Sequence, residues 1–258
     1  MTVRRRWLRE CRCLLCAGVL VAVAGCALPV PTDGGGSVPD TVPDVAAATF
    51  TDSMSIDNPF FPLPPGATRT YRGETEDGTE EIIVDVLENT YEVMGITCRI
   101  VRDRVFLDGV LIEDTHDWYT QDDAGNVWYM GEEVDNYHYD DQGNQIGVTH
   151  EGAWEAGKDV AGRGAAARPG YVMKASPMPG DVYHQEFYEG EAEDMGEVVA
   201  VDVPVTLGDG TSYTCLQTRD FTPLEPDVNE HKYYAPGVGL VLEEQVGGGE
   251  RVELISLE

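Results

Sequence analysis

Short runs of alternating apolar and polar residues dominate the chain from about residue 68 onward. In "EIIVDVL" the apolar Ile82, Val84 and Val86 lie two residues apart with Asp85 on the other face, and in "VVAVDVPV" the residues Val199, Val201, Val203 and Val205 have the same spacing. A period of two with β-branched residues is typical of a half-buried strand. Turn sequences such as "LDG", "DDAGN" and "GDGT" separate these runs, and no segment keeps a helical period. The pattern predicts an all-β, antiparallel protein of about ten to twelve strands.

An internal match relates the two halves of this pattern. "YRGETED" begins at Tyr71 and "YEGEAED" begins at Tyr188, and 13 of 33 ungapped positions from residue 71 onward are identical at this offset of 117. Further on, "HDWYTQDDAGNVWYMGEE" resembles "HKYYAPGVGLVLEE", which places His116 on His231. We therefore predict two homologous meander repeats that form one pseudo-symmetric barrel- or clam-like body, with two separate units as the alternative.

The first residues follow a different pattern. A basic start, "MTVRRRWLRE", precedes the apolar "CLLCAGVLVAVAG", which is too short to span a bilayer and ends in "VAGC". This box resembles a lipobox, which implies removal of residues 1–25 as a lipoprotein signal peptide and attachment of lipid to Cys26. The expected location is extracytoplasmic, anchored by lipid to the cell membrane or the outer membrane.

The remaining boundaries come from composition. Residues 26–56 are rich in Pro, Gly and Asp and predict a flexible tether. Residues 57–176 are the first β repeat, with an extra hairpin and a Gly/Ala-rich loop, and residues 177–258 are the second repeat.

Charge restricts the partners of this chain. After residue 25 it carries 12 basic and 46 acidic side chains, a net charge near −34. Such a field disfavours nucleic acid, so we expect a cation, a glycan or a basic protein as the partner, besides the membrane reached through the lipid. A simply solvated acidic surface is the alternative.

Several residues are candidates for a site. Four glutamates of the repeated acidic phrase, Glu74, Glu76, Glu191 and Glu193, could gather around Ca²⁺, although charged residues beside hairpin turns explain them equally. His116 and His231 could line one cavity with Glu113 and Glu230, either as a binding site or as the centre of a metal-assisted hydrolase. No nucleophile elbow, phosphate loop or His-Glu-x-x-His motif is present, which favours a binding or structural protein over an enzyme.

Two cysteines remain after the leader and Cys26 are set aside. Cys98 and Cys215 occupy equivalent positions of the repeat, so they could form a disulfide that ties the halves, or lie buried as two separate thiols.

Two stretches resemble known proteins. "YYAPGVGLVLEE" at Tyr233 to Glu244 and "NPFFPLPPG" at Asn58 to Gly66 are similar to segments of uncharacterised secreted bacterial lipoproteins. The resemblance implies a β-rich, cell-surface or periplasmic lipoprotein and carries no catalytic residues. A cruder similarity to the open half-barrels of lipoprotein-sorting carriers would imply lipid carriage, but the duplication and the acidity depart from that pattern.

Overall fold

The computed structural model describes residues 42–75, 77–226 and 229–258. The predicted signal peptide, Cys26 and the first part of the predicted tether lie outside the described residues, as does Glu76. One short 3-10 turn, η1, covers Val45–Ala47. No helix in the described ranges is long and apolar enough to cross a membrane.

The rest of the described chain is built from antiparallel strands, as predicted. In chain order they are β1 (Thr68–Glu74), β2 (Thr79–Val93), β3 (Ile96–Leu107), β4 (Val110–Gln121), β5 (Val127–Tyr139), β6 (Gln145–Thr149), β7 (Trp154–Glu155), β8 (Arg168–Met173), β9 (Val182–His184), β10 (Glu186–Phe187), β11 (Met195–Thr206), β12 (Ser212–Phe221), β13 (Asn229–Ala235), β14 (Gly239–Gln245) and β15 (Arg251–Leu257).

These strands form a single sheet that is nearly closed into a barrel. Its order is β10-β8-β5-β4-β3-β2-β1-β15-β14-β13-β12-β11-β9, with β6 and β7 also paired to β5. The two ends of this order, β9 and β10, are consecutive in the chain and separated only by Gln185. Residues 182–187, the closing strand, therefore pair with β11 through β9 and with β8 through β10. Closure removes the open edges that would otherwise invite association.

One end of the barrel is covered by the N-terminal plug, residues 44–63. The Phe61 ring lies 5.3 Å from the ring of Tyr119 and 6.4 Å from that of Tyr234, and Phe61 is buried with Ile56 and Leu63. The Gln121 side chain accepts hydrogen bonds from the backbone of 57 and 58. The prediction of a flexible tether up to residue 56 is therefore wrong for residues 44–56, because apolar side chains among the Pro and Asp residues give this segment a surface to bury.

The opposite end, the distal rim, carries the β1–β2, β3–β4, β5–β6 and β14–β15 turns. The β14–β15 turn holds Gly247, Gly248 and Gly249 in succession, with φ of +95°, +89° and +138°. Only glycine adopts such φ angles without strain, so the backbone conformation of this turn depends on its three glycines.

Strand register relates the two halves only in part. Arg102 pairs with His116 between β3 and β4, and Arg219 pairs with His231 between β12 and β13, so the matched arginines and histidines pair alike although the offset is 117 for the arginines and 115 for the histidines. In the preceding strands, however, Asp103 faces Val84 whereas Asp220 faces Gly196, an offset of 112 rather than 117. The duplication stays a prediction. The ungapped match does not reproduce the register in which β2 pairs with β3 and β11 pairs with β12.

Candidate functional site

The two predicted histidines do not meet. His116 lies on β4 and His231 on β13, and five strands of the sheet separate these two. Each is half-buried on the outer face, because the next residue in each strand, Asp117 or Lys232, is fully buried on the inner face. The hypothesis of a common cavity lined by both histidines is therefore wrong, because both side chains lie on the outer face of the sheet.

The predicted carboxylate partners point the other way. Glu113 and Glu230 are 2% and 3% exposed and lie on the inner face, where Glu113 accepts a hydrogen bond of 2.9 Å from the Thr115 hydroxyl. Since His231 follows Glu230 directly, the two side chains lie on opposite faces of the strand. The residues of the hydrolase hypothesis are thus not assembled, and no three of the described His, Cys, Asp and Glu side chains are placed to hold a metal ion.

The described glutamates of the acidic phrase have separate local partners. Glu74 at the end of β1 accepts from the Thr79 hydroxyl, Glu191 forms an ion pair with Arg163, and Glu193 accepts from the backbone N–H of Gly190. These three glutamates are not grouped into a cation site. They stabilise the turns on which they lie.

The two cysteines are free thiols, each buried separately. Cys98 faces Tyr91 across β2 and β3, whereas Cys215 faces Val203 across β11 and β12, so the predicted disulfide is not formed. Burial raises the pKa of Cys98 to about 12 and that of Cys215 to about 11. Thiols held in this protonated form are poor nucleophiles.

His231 does lie in a cleft, at the distal rim. The cleft has a volume of about 360 Å³ and is lined by His231 and by the residues from Glu244 to Arg251. Burial lowers the pKa of His231, so its imidazole is neutral at neutral pH. Arg251 is bonded to Glu244 and, at 2.5 Å, to Glu253, which fixes the carboxylate of Glu244 beside His231. The cleft therefore presents carboxylates, one neutral imidazole and a rigid glycine turn.

The sequence analysis missed the polar interior of the barrel. In the second half Lys232 is fully buried, with its Nζ 3.2 Å from Asp220 and 3.7 Å from Glu243. Burial lowers the pKa of Lys232, but these two carboxylates outweigh it and the net shift is upward, so the ammonium stays charged. Asp220 also accepts from the Gln185 amide at 3.1 Å, which links the closing strand to this network.

In the first half the interior is acidic. Five acidic residues form what we call the seam cluster: Glu113, Asp117, Glu132, Glu186 and Asp194. The name refers to the closing strand, because Glu186 belongs to this strand and the backbone carbonyl of Asp194 accepts the N–H of Gln185 within it. All five are at least nine-tenths buried. A signal was present in the sequence: in "EDTHDWY" polar residues occupy both faces of β4, which excludes a simple half-buried strand.

Comparison with known proteins adds a single distant likeness. No family model matches this chain, and no curated protein matches it. A crystal structure of a "putative lipoprotein" from Parabacteroides distasonis is similar over 77% of this chain and 98% of that one, with 11% sequence identity and a TM-score of 0.39.

Proposed function

We propose that the protein is a lipid-anchored, extracytoplasmic binding protein whose distal rim takes a basic segment of a partner. The observation that carries this proposal is the placement of the cleft relative to the plug. The plug follows the predicted anchor and tether, whereas the cleft of His231 lies at the other end of the barrel. An anchor at Cys26 would therefore hold the plugged end toward the lipid and the cleft away from it.

Charge supports a basic partner rather than a neutral one. The net charge near −34 after residue 25 produces a long-range field that accelerates encounters with cations and depends on ionic strength. Within the cleft, Glu244 and Glu250 are acidic, the positive charge of Arg251 is shared between Glu244 and Glu253, and the neutral His231 adds no further positive charge. A lysine or arginine side chain of a partner fits this chemistry.

The anchor is tested by replacing the lipidated residue. We expect Cys26→Ser to abolish incorporation of labelled fatty acid and to move the protein from the detergent phase to the aqueous phase in a phase-separation experiment. Cys16→Ser, within the leader, is the matched control and should leave both properties unchanged. Equal labelling of the two variants would contradict the anchor.

The cleft is tested by mapping the binding of an oligolysine peptide on the backbone amide NMR spectrum. We expect saturable shifts confined to residues 229–231 and 244–251, and affinity about five-fold weaker in Glu244→Gln. Glu133→Gln is the matched control, since Glu133 pairs with His116 as Glu244 pairs with His231. Shifts spread evenly over the acidic surface, or equal weakening in both variants, would overturn the assignment of the cleft.

A further inference from the structure

Two carboxyl groups face each other inside the first half of the barrel. Asp117 on β4 pairs in register with Glu132 on β5, and both side chains lie on the inner face, 0% and 7% exposed. Like charges placed directly opposite each other on a sheet destabilise it, the more so when water is excluded. The Tyr129 hydroxyl donates a hydrogen bond of 2.9 Å to Asp117, but a neutral donor does not balance two negative charges.

The same register position carries a cation in the second half. Lys232 pairs with Glu243 as Asp117 pairs with Glu132, and the register shifts directly after Asp117 and one residue after Lys232. The ammonium of Lys232 lies between carboxylates there, whereas the carboxyl groups of Glu186 and Asp194 lie near the Asp117–Glu132 pair. In the second half the ammonium of Lys232 balances Asp220 and Glu243, whereas in the first half burial, and then the facing Asp117, raise the pKa of the Glu132 carboxyl.

The remaining members of the seam cluster bring more acid to the same place. Burial, and then the neighbouring Asp117, Glu186, Glu113 and Asp194, raise the pKa of Glu132 well above its ordinary value. Burial and Asp194 raise the pKa of Glu186, partly offset by the Trp154 side chain. Burial also raises the pKa of Asp194, against the opposing effects of Thr222 and Lys232.

The cluster lies at the weakest part of the barrel wall. β10 contributes only two paired residues to the junction with β8, Glu186 with Pro169 and Phe187 with Arg168, and proline has no backbone N–H to donate. β9 adds three pairs on the other side. A change of charge at Glu186 therefore acts on the part of the sheet that is held by the fewest hydrogen bonds.

We propose that protons bound by the seam cluster hold the barrel closed, and that their release as pH rises frees the closing strand from β8. The junction between the closing strand and β8 would thus be sensitive to pH. Protonation removes the repulsion between the facing carboxyl groups of the first half, as the Lys232 ammonium balances the carboxylates of the second. The groups that face the cluster from the packed elements of the described chain are Tyr129 on β5, Trp154 on β7, Asp220 on β12, Thr222 and Glu225 after β12, and Lys232 on β13.

The direction of the pH effect follows from the raised pKa values. Folding favours the protonated form of Glu132, Glu186 and Asp194, whose pKa values are raised, so the stability that they allow is complete below the ordinary carboxyl pKa of about 4. It is lost progressively as pH rises through their raised values in the folded state. Most buried carboxylates that are paired with cations show the opposite dependence.

Hydrogen exchange with mass spectrometry tests the proposal on the folded protein. After correction for the intrinsic rate, we expect protection of residues 168–173 and 182–187 to fall by up to about tenfold per pH unit for each proton released between about pH 5 and about pH 8. Protection of β3, which lies away from the seam, should change much less. A uniform change over all strands, or none at the seam, would overturn the proposal.

Two variants and one ion identify the groups involved. Glu132→Gln and Glu186→Gln remove the charge but keep the shape, so either should retain protection of residues 182–187 at about pH 8. Glu133→Gln, exposed on the outer face of β5, should behave as the unaltered protein does. If millimolar Ca²⁺ restores protection at high pH and a chelator removes it, a cation rather than protons holds the seam and the proposal fails.

Discussion

Replacement of Lys232 by methionine is expected to lower the free energy of unfolding by about 3–5 kcal/mol, the cost of removing one partner from a buried ion pair. Methionine keeps most of the volume of the side chain but takes the ammonium away from Asp220 and Glu243. Asp220 and Glu243, which are 1% and 6% exposed, then stay buried with one cation fewer. Denaturant unfolding followed by circular dichroism measures the difference.

A matched control separates charge from packing. Lys158→Met removes an ammonium that is paired to Glu155 at 2.7 Å on the surface, where the side chain of Lys158 is 55% exposed, and should lower the stability much less than Lys232→Met does. The triple variant Lys232→Met, Asp220→Asn, Glu243→Gln should recover part of the loss, because the uncompensated charges are removed together. Equal destabilisation by Lys232→Met and Lys158→Met would show that the buried network contributes no more than a surface pair.

Substitution of Gly170 by alanine is expected to destabilise the barrel by about 3 kcal/mol or more, at the upper end of the cost of overpacking. A Cβ on this residue would lie 2.1 Å from the carbonyl oxygen of His184 and 2.7 Å from the backbone of Gln185. These contacts are with main chain of the closing strand, which cannot turn aside as a side chain could. The methyl group would therefore force β8 and the closing strand apart.

The control for this variant lies in β6. A Cβ on Gly147 would meet no atom within 4 Å, so Gly147→Ala should change stability by less than about 0.5 kcal/mol. Thermal unfolding compares the two, and hydrogen exchange should show the loss for Gly170→Ala concentrated in residues 182–187. Similar stability of the two alanine variants would mean that the seam adapts to the added methyl group and is not tightly packed.

The alternation of apolar and polar residues along the chain is sufficient to predict the all-β fold class. Ile82, Val84 and Val86 share the inner face of β2 and are each at most 2% exposed, as their spacing indicated. The prediction failed in β11, where Val198 is buried while Val199 and Val201 are 37% and 44% exposed. Two register shifts in this strand move its side chains from one face to the other, and a bulge leaves no reliable signal in a single sequence.

The site could be predicted less well than the fold, for a physical reason. Rules of alternation assume that the inner face is apolar, so Glu113 and Glu230 were interpreted as partners of the nearby histidines rather than as groups of a buried polar interior. In this barrel the acids lie inside and the histidines outside. Pairing between distant strands decides which carboxyls meet, and that pairing is not encoded in any local stretch.

The pairing of β1 with β15 has a consequence for how the chain acquires its structure. Residues 69–74 bond to residues 251–257, so the first strand of the barrel, which pairs with β2 on one side, has its partner on the other side only after the last strand has been synthesised. Contacts of such sequence separation make folding slow, and the incomplete sheet keeps an unpaired edge in the meantime.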